Sequence, residues 1–224
     1  MEKRLGDLNQ EQIKGPSLFG MITSPVEQFE RIKSKPKIWV PMLLITLLFL
    51  IGTYFLSLSL DINELIGEEV PSGQVEIVKM VTLVTMVITG VLSPVVSVLI
   101  SSAVLLAVAK IANSEVSFKQ IFSMKTFIYL ITAIGLFLNG LIRLLIGGNP
   151  EVYVTSLAGL LNSDSKILGV FEVFTIWATV LMAIGLNKVA NLSKGVAVTI
   201  AIIFFLFQIG MAFIGSLFSG ISGM

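Results

Sequence analysis

The strongest constraint in this 224-residue chain is a run of 30 residues, 80–109, that contains no charged side chain. A helix needs about 20 apolar residues to cross the hydrocarbon core of a bilayer. At about 1.5 Å of rise per residue the run exceeds one upright crossing, so we expect a tilted helix with a kink near Pro94. Four further apolar segments are long enough to span: 38–60, 126–146, 167–186 and 195–218.

Charge content decides between a membrane bundle and a soluble helical domain. Charged residues make up 13% of the chain and hydrophobic residues 55%. Soluble domains carry about 25% charged residues, so this chain has too few charges to cover a surface that faces water. The sequence therefore predicts an all-α fold, a polytopic membrane helix bundle with five transmembrane helices at 38–219.

A polar segment, residues 1–37, precedes the first span and contains one helical pattern. Ser24 is followed by Pro25 and, three residues after the serine, by Glu27. This is the arrangement of a capping box with proline at the first helical position. The predicted helix covers about 25–35 and ends before the next proline.

That helix carries apolar residues at threefold spacing beside basic ones, which indicates a short amphipathic helix lying at the inner membrane surface. A tryptophan follows as an interfacial anchor. Two roles are open, because the helix either positions the first span or binds a partner. The residues of this candidate interaction helix are Val26, Phe29, Arg31, Ile32, Lys33 and Trp39.

Lysine and arginine are unequally divided between the two sides of the predicted bundle. The segment before span one and the loops after spans two and four hold 12, whereas the opposite side holds only Lys79, Arg143 and Lys166. By the positive-inside rule the N-terminus is cytoplasmic. Five crossings then place a short tail, 220–224, outside the cell membrane. The acidic first outer loop, Asp61–Glu76, is either solvated or a weak site for a cation or a basic peptide.

Two charged side chains fall inside predicted spans. Arg143 lies near the outer end of span three, and Glu172 lies about 7–8 Å inside span four by helical rise. We predict an intramembrane ion pair between them, with Asn139 extending the polar cluster one turn away. Charges within a membrane are functional candidates by default, so the pair is either a structural contact or an ion or proton site.

Small residues mark candidate helix-packing faces on two spans. Ser93, Ser97 and Ser101 recur every four residues in span two, and Gly215 and Ser219 have the same spacing in span five. Such faces allow close helix approach in lipid. The serine face has a second interpretation, as the lining of a hydrated path.

The chain contains no cysteine and no histidine. Thiol chemistry, Cys/His zinc sites and imidazole bases are therefore excluded. A formal net charge of +1 gives no indication of nucleic-acid binding. We expect no catalytic residue, no cofactor and no metal site.

The entry to the first span and two later stretches resemble the Yip-domain family of membrane proteins. Together they cover roughly 17–215, and the family has the five-span topology predicted above. The resemblance rests on Ser24–Ile32, Lys35, Pro36, Trp39 and Pro41, on Phe118–Phe122 with Tyr129, and on Trp177–Leu186 with Lys188 and Lys194–Ala197.

The resemblance implies a non-enzymatic protein that binds and assists other membrane proteins. The likeness is greatest to a bacillar branch, which implies an ABC-type exporter as the partner and toxic-peptide efflux as the process. No catalytic residues are known in the family to carry over. The expected partners are the lipid bilayer, exporter subunits and further copies of the chain, and the alternative function is a small permease or channel for a solute or ion.

Overall fold

The computed structural model describes residues 14–58, 73–149 and 151–222, with side chains up to 218. It is an all-α bundle, as the sequence predicted. The helices are α1 Leu18–Thr23, α2 Pro25–Ser34, α3 Trp39–Leu58, α4 Val75–Ile111, α5 Phe118–Ile146, α6 Leu157–Leu160, α7 Lys166–Val170, α8 Val173–Lys188 and α9 Lys194–Ser222.

Within the described residues, four helices are long and apolar enough to cross a membrane, α3, α4, α5 and α9, with mean hydropathies between 1.9 and 2.5. The fifth, α8, has 16 residues and is apolar but shorter. Hydrogen bonds from Gln120 Nε2 to the Lys33 carbonyl oxygen and from the Ser114 hydroxyl to the Ala190 carbonyl oxygen bring α2 and the loops 112–117 and 189–193 to one end of the bundle. The bundle therefore has two faces, one with α2 and the loops 112–117 and 189–193, and one with residues 147–172. We call the first the basic face and the second the loop face.

Helix α5 forms the centre of the bundle and is the most buried of the spans. It begins at Phe118, earlier than the predicted 126, because Ser117 and Gln120 form a reciprocal capping box. Close contact with α3 depends on glycine, since a Cβ at Gly140 would lie 2.6 Å from the carbonyl oxygen of Gly52. This contact brings the two backbones together without intervening side chains.

Helix α4 has 37 residues and continues through Pro94, which is buried inside it. It starts at Val75 rather than at 80, so Glu76 and Lys79 lie within its first turns. The acidic residues Asp61, Glu64, Glu68 and Glu69 of the predicted outer loop lie outside the described residues.

The predicted fourth span, 167–186, is broken in the structure. A short helix, Lys166–Val170, ends before Phe171, and α8 begins at Val173. An isolated antiparallel bridge between Ser156 and Glu172 occupies the break. Glu172 is consequently the N-cap of α8. The sequence predicted that it lies inside the fourth span, and this prediction was wrong.

The N-terminal helices pack on the protein itself. Phe29 and Ile32 have no solvent-exposed area and belong to the largest apolar cluster, together with residues of α5 and α8. The apolar side of this helix is therefore covered, at Phe29 and Ile32, by the protein itself, and its location at the inner membrane surface stays a prediction. The predicted capping box is absent, since Ser24 makes no side-chain cap hydrogen bond and Glu27 pairs with Arg31.

Candidate functional site

A buried polar network lies at the loop face, where residues 151–156 fold back onto α5 and α8. Glu172 is 3% exposed, although it carries a carboxylate. Its Oε1 atom accepts a hydrogen bond of 2.7 Å from the Thr155 hydroxyl, and Oε2 accepts one of 2.7 Å from the backbone nitrogen of Thr175. The Thr175 hydroxyl donates a third, at 3.1 Å to Oε2. The carboxylate thus caps α8 and holds the returning loop.

Asn139 completes the network from α5 and has no exposed area. Its Nδ2 atom donates to the carbonyl oxygen of Gly135 at 2.9 Å and to the Thr155 hydroxyl at 2.8 Å. Its Oδ1 atom accepts from the backbone nitrogen of Thr155 at 3.1 Å. Thr155 is therefore the residue that links α5 to the start of α8.

Arg143 does not pair with Glu172, although both residues lie in the described part of the chain. Its guanidinium donates to the carbonyl oxygen of Val152 from Nε at 3.0 Å and from Nη2 at 2.8 Å, and to that of Gly147 from Nη1 at 3.1 Å. The predicted ion pair is thus replaced by two separate contacts with one loop. The guanidinium satisfies backbone oxygens that follow the end of α5.

Backbone contacts reinforce these side-chain contacts. The nitrogen of Leu157 donates to the Phe171 oxygen at 3.0 Å, and the nitrogen of Val173 donates to the Thr155 oxygen at 3.2 Å. Tyr153 packs against an apolar cluster formed by α3 and α5. Burial, the Glu172 charge and Tyr129 together raise the pKa of Tyr153 to about 12, so its phenol stays protonated at neutral pH.

Sequence reasoning found Asn139, Arg143 and Glu172 and missed Thr155 and Tyr153. The missed residues belong to the stretch between the predicted third and fourth spans, 149–165, for which the sequence favours an outer-surface helix or a re-entrant piece and indicates no site residue. A tyrosine and a threonine two positions apart carry no distinctive signal. Their role depends on contacts between residues 16 and 17 positions apart.

The candidate interaction helix is only partly available to a partner. In addition to the burial of Phe29 and Ile32, Lys33 Nζ donates to the Asn191 side chain at 2.8 Å. Glu30 forms an ion pair of 2.9 Å with Lys188 at the end of α8. Trp39 is 86% exposed and Val26 is 43% exposed, so these two remain open.

The candidate packing faces have different surroundings. Ser93 is exposed, whereas Ser97 and Ser101 are half-buried, and Ser97 lies beside the Tyr129 hydroxyl of α5. The Ser101 hydroxyl donates to the carbonyl oxygen of Ser97 in its own helix at 2.7 Å. On α9, Gly215 is half-buried, and the side chain of Ser219 lies outside the described residues.

The described residues contain no group of three or more Asp, Glu, His or Cys side chains that could hold a metal ion. The polar network consists of one carboxylate with hydroxyl, amide and backbone partners. Its chemistry is that of a hydrogen-bonded clamp between a loop and two helices.

The fold and this clamp define a polytopic α-helical membrane protein in which Asn139, Thr155 and Glu172 are bonded to one another. The family model for the Yip1 domain matches residues 19–216, and the chain belongs to that family. It is 34% identical over 228 residues to "Membrane protein YknW" of Bacillus subtilis (strain 168), an alignment that covers 99% of this chain and 95% of the relative. No solved structure matches the chain.

Proposed function

We propose that this chain is a non-catalytic accessory protein of the cell membrane that binds a membrane complex and assists its assembly or activity. The observation that carries the proposal is that the polar side chains of the buried network are hydrogen-bonded within the chain. Glu172 and Asn139 use their polar atoms in bonds to their own chain. A carboxylate held in this way supports loop structure. We therefore assign recognition of the membrane complex to the surface of the protein.

The clamp holds a short apolar surface at the loop face. Leu157, Leu160 and Leu161, which we call the leucine turn, are 39%, 77% and 62% exposed. They lie outside the four long spans and are followed by the polar residues 162–165. Exposed apolar patches with polar rims are typical of protein or membrane contacts. The leucine turn is therefore our candidate docking surface for the complex.

An ABC-type exporter is the complex that we propose, and toxic-peptide efflux the process. The support is the family resemblance and the match to a bacterial membrane protein over nearly the full length of both chains. In this proposal the basic face is cytoplasmic, because it carries most of the lysine and arginine.

Affinity purification from native membranes in mild detergent tests the proposal. We expect the subunits of an ABC exporter to co-purify with the chain and to be lost when the three residues of the leucine turn are changed to serine. Ile111→Ser is the matched control, since Ile111 is 82% exposed but lies on the basic face. Recovery of the chain alone, together with solute movement by the purified protein in liposomes, would overturn the proposal in favour of a permease.

A further inference from the structure

Helix α1 lies in a stretch of the chain that carries no charge. Residues 15–26, between Lys14 and Glu27, contain no charged side chain. Apolar runs of about 10–14 residues are too short to cross a bilayer and are typical of buried, interfacial or re-entrant segments. The short helix Leu18–Thr23 occupies the middle of this run. Its contacts decide which of these three descriptions applies.

One side of α1 packs on the bundle and the other side is exposed. Met21 has no exposed area and belongs to the largest apolar cluster, which includes residues of α5 and α8. Leu18 packs against the apolar cluster formed by α3 and α5. Phe19 and Ile22 are 74% and 39% exposed. Helix α1 therefore has apolar side chains both toward the bundle and away from it.

The contact made by Leu18 lies below the point where α3 enters the membrane. Helix α3 has 20 residues, or about 30 Å, which matches the hydrocarbon core and places Trp39 at one edge of it. The buried members of the cluster that Leu18 contacts begin at Ile45 in α3 and at Leu130 in α5. Ile45 lies six residues after Trp39, or about 9 Å along the axis. Helix α1 thus packs beside the spans, at the level of the hydrocarbon core.

The polar groups at the start of α1 are bonded within the chain, as this depth requires. The backbone nitrogen of Ser17 donates to Gln28 Oε1 at 2.8 Å, and Gln28 is 2% exposed. The Ser17 hydroxyl accepts from the backbone nitrogen of Gly20 at 3.3 Å. Thr23, the one polar side chain of α1, donates to the carbonyl oxygen of Phe19 at 3.5 Å. Lipid tails offer neither donors nor acceptors, so a segment among them needs such internal bonds.

The exposed sides of α1 and α2 differ in character. Glu27, Glu30 and Lys33 are exposed on α2, and such charged side chains require water. The exposed side of α1 instead carries Phe19 and Ile22. The two helices therefore face different surroundings, although α2 begins directly after α1.

We propose that α1 is inserted into the membrane leaflet at the basic face, with Phe19 and Ile22 among the acyl chains. Lipid is the occupant because α1 packs on the spans below the level of Trp39. Lys14, Lys35 and Lys37 are exposed at the ends of the N-terminal segment, and lysines near a membrane surface attract anionic headgroups.

This inference differs from the amphipathic helix that the sequence predicted. The sequence assigned the apolar contact with the membrane to α2, whereas Phe29 and Ile32 of α2 are buried in the protein. The segment in lipid is now α1, and α2 connects it to the charged surface. The inference does not depend on the exporter, because it concerns contact with lipid alone.

Single cysteines test the depth of α1, because the native chain contains no cysteine. Phe19→Cys and Ile22→Cys each carry a fluorophore in the purified full-length protein, inserted in vesicles of phosphatidylethanolamine and phosphatidylglycerol. Ser34→Cys is the matched control, since Ser34 is exposed at the end of α2 between two lysines. We expect quenching by spin-labelled acyl chains at 19 and 22. Iodide on both sides of the membrane should quench only the label at 34.

A charge at position 19 tests whether the apolar side chain holds α1 in the leaflet. In the Ile22→Cys background, Phe19→Asp should abolish most of the quenching by lipid and introduce quenching by iodide, because a carboxylate is costly in hydrocarbon. Phe19→Leu should leave both unchanged. Phe19 is exposed, so neither variant removes a buried side chain, and an unchanged circular dichroism spectrum would show that the bundle is intact.

Four results would overturn the inference. One is quenching by iodide at 19 and 22 equal to that at 34, which would place α1 in water. Another is protection from both quenchers in vesicles, which would mean that a second copy covers α1. The third is cross-linking of Phe19→Cys to a different protein in native membranes, and the fourth is full quenching by lipid after Phe19→Asp. Quenching by lipid as expected, without co-purification of an exporter, would overturn the proposed function alone.

Discussion

The Thr155 hydroxyl donates a hydrogen bond of 2.7 Å to Glu172 Oε1, and this contact joins the loop after α5 to the first turn of α8. The same hydroxyl accepts a bond from Asn139 Nδ2 at 2.8 Å. One threonine thus connects two helices and a loop in a region with little access to water. Polar groups buried in this way are costly when one member is removed, because the remaining partners stay desolvated.

Thr155→Val should therefore destabilise the bundle. Valine has a similar shape but neither donates to Glu172 nor accepts from Asn139, so the free energy of unfolding should fall by about 1–3 kcal/mol. For a chain of this size the melting temperature should fall by about 2–4 °C per kcal/mol. Thermal unfolding in detergent measures the effect. Thr155→Ser, which keeps the hydroxyl, should remain close to the native protein, and equal losses for both variants would contradict this explanation.

Arg143 and Glu172 should show little direct coupling in a double-mutant cycle. Each contacts the 151–156 loop, but the structure contains no ion pair between them. Arg143→Gln should lower stability because it removes the guanidinium contacts with the Val152 and Gly147 oxygens. Glu172→Gln should lower it because an amide nitrogen replaces one of the two accepting carboxylate oxygens. The coupling energy between Thr155 and Glu172 should be larger, within the range of roughly 0.5–3 kcal/mol found for residues in contact. A stronger Arg143–Glu172 coupling would restore the ion pair that the sequence predicted.

The difference between the predicted ion pair and the observed network has a physical cause. Charge and hydropathy placed both residues near one end of neighbouring helices, and this much was predictable from the sequence. The break at Phe171 was not, because neither it nor Glu172 is a helix-breaking residue. The bridge to Ser156 is a non-local contact that competes successfully with helix continuation. Local pattern alone contains no information about such a contact.

The N-terminal helix shows a related limit. Its threefold spacing of apolar residues predicted one apolar face, and Phe29 and Ile32 do lie on a buried face. Spacing cannot indicate whether lipid or protein covers that face, since both environments are apolar. One feature of this contact is Gly185, where a Cβ would lie 2.8 Å from the Met124 sulfur and 3.2 Å from the Phe29 ring. The absence of a side chain there creates the space into which the helix packs.

Phe29→Ala should consequently release α2 from the bundle, whereas Val26→Ala should not. Phe29 has no exposed area and Val26 is 43% exposed. Truncation of a buried phenylalanine costs about 3–5 kcal/mol, and a surface substitution usually changes stability by less than about 0.5 kcal/mol. Limited trypsin digestion reports the change, since Arg31 and Lys33 lie within α2. Equal protection of the two variants would show that polar contacts alone, such as Glu30 with Lys188, hold the helix.

Two glycine substitutions should have opposite effects. Gly140→Ala places a methyl group 2.6 Å from the Gly52 carbonyl oxygen, so α3 and α5 must separate, at a cost of about 1–3 kcal/mol. Gly210→Ala meets nothing within 4 Å. It should be neutral or stabilising by up to about 1 kcal/mol, because alanine is the better helix former. Melting temperatures of the two variants in one detergent make the comparison, and destabilisation by Gly210→Ala would reveal a contact outside the described chain.

Single cysteines should also establish the topology, because the cysteine-free chain gives no background reaction with a maleimide that does not cross membranes. The lysine and arginine bias predicts that the basic face is cytoplasmic. Leu161→Cys on intact cells should therefore react, whereas Lys35→Cys and Ser193→Cys should react only after the membrane is opened. The ion pair between Glu30 and Lys188 places the last two positions at the same face. Reaction of Ser193→Cys from outside would mean that the 16-residue α8 does not cross, and a fully reversed pattern would invert the proposed orientation.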